Sequence, residues 1–172
     1  KTEAINNIGK IYIIDPEINK SIKDTIYAIF KALTLQKKKG NLSDEDKKLL
    51  AYIPKSTILY INQESDNALI TLEYLTLLHT EKILSDGLKE INKLNLKLAI
   101  KEQLKDIGLS KSHKNFISQT ILEHIRPNLR FDEVKTNKAI QEKLTTLAYY
   151  QTTYKEGQPI IYKGEKVTSE HI

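Results

Sequence analysis

Ile18, Ile22, Ile26, Ile29, Phe30 and Leu33 recur at intervals of three and four, and among regular backbones an α-helix is the one that brings such a set onto a single face. Pro16 suits the first turn of that helix. Its end falls at Lys37-Lys38-Lys39-Gly40, where lysines complement the negative pole and Gly40 is expected to turn with positive φ. The same punctuation recurs downstream. Ser43-Asp44-Glu45-Asp46 reads as an N-cap with an acidic first turn, opening a short helix through Leu49, Leu50 and Ile53 that Pro54 stops. Ser65-Asp66 opens a longer helix whose Leu69, Leu72, Leu75 and Leu78, flanked by Ile70 and Leu77, make an apolar face wide enough to be covered by neighbours on two sides. That helix closes near Asp86-Gly87. Two more follow, one bearing Leu96, Ile100, Leu104 and Ile107 before Gly108, the other bearing Phe116, Ile117, Ile121 and Ile125 before Pro127. Asp132-Glu133 opens the last, through Val134, Ile140, Leu144 and Leu147. Ser56 to Ile61 fits a strand or a loop, because six residues are too few for periodicity to decide.

Strand character is confined to the two ends and one short link. Ile11-Tyr12-Ile13-Ile14, closed by Asp15-Pro16, is β-branched and apolar, and Leu129-Arg130-Phe131 is a short extended stretch. Tyr149 to Tyr154, Ile160 to Tyr162 and Val167-Thr168 are further β-prone runs, separated by Glu156-Gly157 and Lys163-Gly164. These C-terminal runs predict a small sheet with Ile11 to Ile14 as its third strand, which would bring the two ends of the chain together. The expected fold is α+β, predominantly α-helical, with about six helices and that minor sheet in a single domain over 1–172.

Charge and composition narrow the function classes. Lys and Arg total 27 against 22 Asp and Glu, for a net charge of +5, but Arg126 and Arg130 are the only arginines. Dispersed lysines attract a polyanion without gripping it as guanidinium forks do. The absence of Cys removes disulfides, thiolate nucleophiles and cysteine metal sites. Met is absent too, initiator included, which points to a piece of a longer polypeptide. No run reaches the ~18 apolar residues of a membrane span, and Ala68 to Leu78 is interrupted by Glu73. His79, His113, His124 and His171 form no metal-ligand spacing, and His79 reads as a helix-border residue. Phosphate-cradling glycine motifs and the nucleophile elbow are missing. No catalytic residue, metal ligand or cofactor is expected.

The C-terminal third carries the most distinctive text. Pro127, Asn128, Phe131, Asp132 and Thr136 are followed by Gly157, Ile160, Gly164, Glu165, Val167 and Thr168, within Tyr154-Lys155-Glu156-Gly157-Gln158-Pro159 and Tyr162-Lys163-Gly164-Glu165-Lys166-Val167-Thr168. This pattern resembles the extracellular domain of the bacterial seven-transmembrane HD-domain family, whose members include cyclic di-AMP phosphodiesterases. It departs at Gln158, where the family usually has Glu, and at Glu156. Ala4, Ile8, Ile11-Tyr12, Asp15 and Phe30 resemble the family's leading segment more loosely, and residues 40 to 110 carry no family motif.

The residues themselves ask for structural work: glycines for positive-φ turns, Asn128 for bonds to neighbouring backbone that fix the turn into the next helix. What the resemblance implies is an extracytoplasmic sensory domain on the bacterial plasma membrane. Its partners would be its own transmembrane helices and a cytoplasmic HD domain hydrolysing a cyclic dinucleotide, with a small ligand or cell-envelope component as input and a homodimer as one arrangement. The fragment itself would not be catalytic. The alternatives from the residues are a basic helical domain binding nucleic acid or an acidic partner, and a structural dimerisation module.

Overall fold

Asp15 ends a three-residue strand and begins the longest helix among the described residues. Its carboxylate accepts the Glu17 backbone N–H at 3.0 Å, and Pro16 fills the first helical position, where an N–H would have no partner. In the computed structural model, which describes residues 9–150 together with 161, 164 and 166, the elements run β1 (Tyr12–Ile14), α1 (Pro16–Lys37), α2 (Asp44–Leu50), α3 (Lys55–Gln63), α4 (Asp66–Ser85), α5 (Lys93–Leu104), α6 (Lys111–His124), β2 (Leu129–Phe131) and α7 (Glu133–Tyr150). The described residues thus form an α+β fold that is mostly helical, with seven helices and one antiparallel pair of strands, β1 and β2.

The chain divides into two compact units, one over Ile13–Arg130 and one over Lys1–Tyr12 with Phe131–Ile172. The first holds six helices. Its centre is α1, which packs against α2, α3, α4 and α6, and whose predicted stripe is buried at Ile22, Ile26, Ile29, Phe30 and Leu33. Phe30 meets Phe116 of α6 edge-on, ring centroids 5.7 Å apart, in the middle of this core. Side chains fix α1 and α4 antiparallel. Near one end Lys37 donates to Asp66 at 2.6 Å and to the Glu64 carbonyl at 2.6 Å, and further along Lys23 pairs with Glu81 at 2.7 Å. In the second unit, Tyr12 and Phe131 meet edge-on at 6.0 Å, with the Lys10 ammonium 5.9 Å from the Phe131 ring centre.

Several expectations are corrected. Residues 55–63 form a helix, neither strand nor loop: Ile61 is buried and Ile58 and Tyr60 pack against the core, so packing decides a segment whose N-cap, Pro54, has no side-chain bond to offer. The positive-φ residue after α1 is Lys39, at φ 56, not Gly40. The Gly40 N–H donates to the Leu35 carbonyl at 2.9 Å and the Lys39 N–H to that of Gln36 at 2.9 Å, the Schellman closure, whose left-handed position falls one residue earlier than the glycine. Gly40 instead leaves room for the Leu35 side chain, whose tip occupies the space a Cβ would take. Tyr149 and Tyr150 end α7 and are not strand residues. Of the strands expected beyond them, the described residue Ile161 is not in a strand and the rest lie outside the described residues; among the described residues β1 pairs with β2 instead.

Lys39→Gly relieves a left-handed lysine while leaving both closing bonds in place. We expect stability to rise by about 1 kcal/mol, read as a higher urea midpoint; a lower midpoint contradicts this cap.

Candidate functional site

Asn128 is buried completely, and every one of its bonds runs to a distant part of the chain. Its amide nitrogen donates to Asn19 Oδ1 at 2.7 Å and to the Leu84 carbonyl at 2.9 Å, while its Oδ1 accepts the Leu88 N–H at 2.6 Å. The backbone adds two bonds, from its N–H to the Leu88 carbonyl at 2.9 Å and from the Asp15 N–H to its carbonyl at 2.8 Å. The first turn of α1, the last turn of α4, the link after it and the end of β1 therefore converge on one side chain. Gly87 makes this possible. At φ +74 it turns the chain out of α4 so that both polar groups of Leu88 face Asn128. Pro127, beside it, is exposed.

The other described motif residues belong to the second unit. The Asp132 N–H donates to the Ile11 carbonyl at 2.9 Å, and its carboxylate accepts the Lys135 N–H at 2.9 Å, capping α7. Buried Thr136 accepts the Ile11 N–H at 3.0 Å and donates its own hydroxyl proton to the Asp132 carbonyl at 2.7 Å. Both backbone groups of Ile11 are thus held by the start of α7. Gly164 is left-handed, at φ +101. Gly157, Ile160, Glu165, Val167 and Thr168 lie outside the described residues. None of the described motif residues lines a cavity named below.

The histidines divide by environment. His79 is buried, not at a helix border: its Nδ1 lies 2.9 Å from Gln103 Oε1, and its buried Nε2 has no hydrogen-bond partner among the described residues. His113 Nε2 lies 3.0 Å from the Glu64 carboxylate. His124 stacks edge-on against Tyr52 at 4.9 Å, and burial pulls its pKa below 6.5, opposed by Glu123. Burial likewise pushes the Tyr52 phenol to about 12, although Thr120 Oγ1 sits 2.9 Å from it. Among the described residues no three His, Asp or Glu side chains gather as metal ligands.

One concavity was not anticipated. A trough of about 500 Å³ between α1 and α4 is lined by Tyr27, Phe30, Lys31, Thr34, Leu35, Lys38 and Glu73, and a smaller hollow of about 200 Å³ shares Phe30, Thr34, Lys38 and Glu73 with it. On its α4 side Ile70 and Tyr74 are exposed. The outer side of that helix, expected to be covered, is therefore open among the described residues. Glu73 read in the sequence as an interruption of an apolar run, and that misfit was the available signal.

A family model described as 7TM-HD extracellular, 7TMR-HDED, matches residues 1–172, the whole chain. The chain belongs to this family of extracellular domains of seven-transmembrane HD proteins, and its place is the extracytoplasmic face of the membrane. No curated protein and no solved structure matches it significantly.

Two outcomes follow from this geometry. Asn128→Leu keeps the volume but leaves the Leu88 N–H and Asn19 Oδ1 without their partner, so about 3 kcal/mol of stability should be lost; a loss below about 1 kcal/mol in urea unfolding contradicts the assigned bonds. For His124 the folded pKa lies below the unfolded 6.5, so the unfolded chain binds the proton first and stability falls as pH drops below 6.5. His124→Phe should flatten that fall in melting curves taken from pH 7.5 to pH 5, and an unchanged slope would reject the assignment.

Proposed function

We propose that the chain is the sensory input of a membrane receptor whose separate cytoplasmic HD domain hydrolyses a cyclic dinucleotide, cyclic di-AMP in particular. The observation that carries this reading is the family match over all 172 residues. The domain itself is a single regulatory module cut from a longer membrane protein; it needs no cofactor and performs no chemistry.

The hydrogen-bonded contact of Ile11 with Asp132 and Thr136 supports a route for the signal. It couples the leading strand of the chain to the start of its last described helix, so a change in one is felt by the other. A ligand acts on such a device only through unequal affinity for two states. The enzyme's pairs of His and Asp metal ligands would lie in the cytoplasmic domain, where water attacks phosphorus and one phosphodiester bond of the ring opens to a linear dinucleotide.

The full-length receptor, purified in lipid nanodiscs with a divalent metal, is expected to hydrolyse cyclic di-AMP, and the 172-residue chain alone to leave it intact. Replacing Thr136 by Val in the receptor should change the hydrolysis rate without touching the catalytic domain. Hydrolysis by the isolated chain, or a full-length receptor inert toward cyclic di-AMP, overturns the proposal.

A further inference from the structure

Tyr27, Lys31, Thr34 and Lys38 follow one another at intervals of four, three and four along α1, so they share a face, and that face forms one wall of the trough. Phe30, almost wholly buried, lies deep in it. Glu73 comes from the opposite wall on α4. Its carboxylate has no hydrogen bond or ion pair among the described residues, although burial lifts its pKa above the usual carboxylate value. The acid of the adjoining hollow, Asp66, is already held by Lys37 at 2.6 Å. The side chains of Lys31 and Lys38 likewise make no hydrogen bond or ion pair among the described residues. Lys31 and Lys38 do act at longer range on the carboxylates of Asp46 and Asp66, but the trough still combines an apolar, aromatic floor with an anion that has no hydrogen-bonded partner on one wall and two cations that have none on the other.

We propose that this trough binds a zwitterionic ligand with an apolar body, a short peptide or apolar α-amino acid, its ammonium on Glu73 and its carboxylate on Lys31 or Lys38. The alternatives are excluded by charge. An apolar compound leaves Glu73 desolvated and unpaired, a simple cation meets two lysines, and a simple anion meets the glutamate. A zwitterion satisfies both walls, and the apolar body covers Tyr27 and Ile70, which stand 50% and 65% exposed. The volume lies in the range usual for small-ligand sites. All these residues belong to the Ile13–Arg130 unit, so the inference names an input for the proposed receptor yet stands without its enzyme.

The test is calorimetric titration of the 172-residue chain with the dipeptide leucyl-phenylalanine, its N-acetyl form and its C-terminal amide. Saturable binding of the free dipeptide is expected, and each blocking group should weaken it roughly tenfold or more, the scale of one charge-assisted hydrogen bond. Glu73→Gln should erase the difference between free and acetylated peptide, and the double change Lys31→Gln with Lys38→Gln that between free and amidated peptide. Because the three peptides are first compared on the wild-type chain, the result does not depend on how the variants fold. Absence of saturable binding, equal affinity for all three peptides, or tighter binding of either blocked form overturns the proposal, whatever the hydrolysis assay on the full receptor returns.

Discussion

A primary amide removed entirely from water must be paired or it destabilises the fold, and the pairing of Asn128 organises the helical unit. Three of its four side-chain hydrogen-bonding positions are filled, each by a group from a different stretch of chain: Asn19 in α1, Leu84 at the end of α4, and Leu88 beyond it. With the Asp15 N–H bound to its carbonyl, the same residue also fixes where β1 ends and α1 begins. The knot holds the start of α1 against the end of α4. At the opposite end of this antiparallel pair Lys37 reaches Glu64 and Asp66, and Lys23 with Glu81 lies between. Core packing of Phe30 and the aliphatic stripe supplies most of the adhesion, being non-directional; the polar bonds set the register. A trough with opposed charges on its two walls exists only because that register is fixed.

The second unit repeats the device on a smaller scale. Thr136 and Asp132 hold both backbone groups of Ile11, so directional bonds tie the leading strand to the start of α7, beside the edge-on contact of Tyr12 with Phe131. The chain as a whole belongs to the 7TM-HD extracellular family.

Much of this was legible in the sequence. Cap residues and apolar stripes together located α2, α4 and the start of α7, through Ser43, Ser65 and Asp132, whereas α1, α5 and α6 were located by their apolar stripes, and the bonds of Asp15, Asn92 and Ser110 to their first turns emerge only in the structure. The failures have a common physical origin in distance along the chain. Helix α3 has no capping side chain and a mixture of β-branched residues, and its conformation is settled by packing. The bonds of Asn128 were expected to be local, yet its side-chain partners lie 40 to 109 residues away, and no local pattern encodes them. Lys39 adopts the left-handed turn although Gly40 is adjacent, because the closing bonds fix which residue must turn. The trough depends on the α1–α4 register, so only Glu73, a charge inside an apolar run, hinted at it.

Native-state hydrogen exchange of the Asp15 and Leu88 backbone amides tests the central role of Asn128 most directly. Both donate into the knot, and Leu88 lies in a link between helices where exchange would otherwise be fast. If the knot organises the unit, both amides exchange only when the whole unit unfolds, with the free energy found by denaturant titration. Exchange of either amide through local opening, well before global unfolding, would contradict the account.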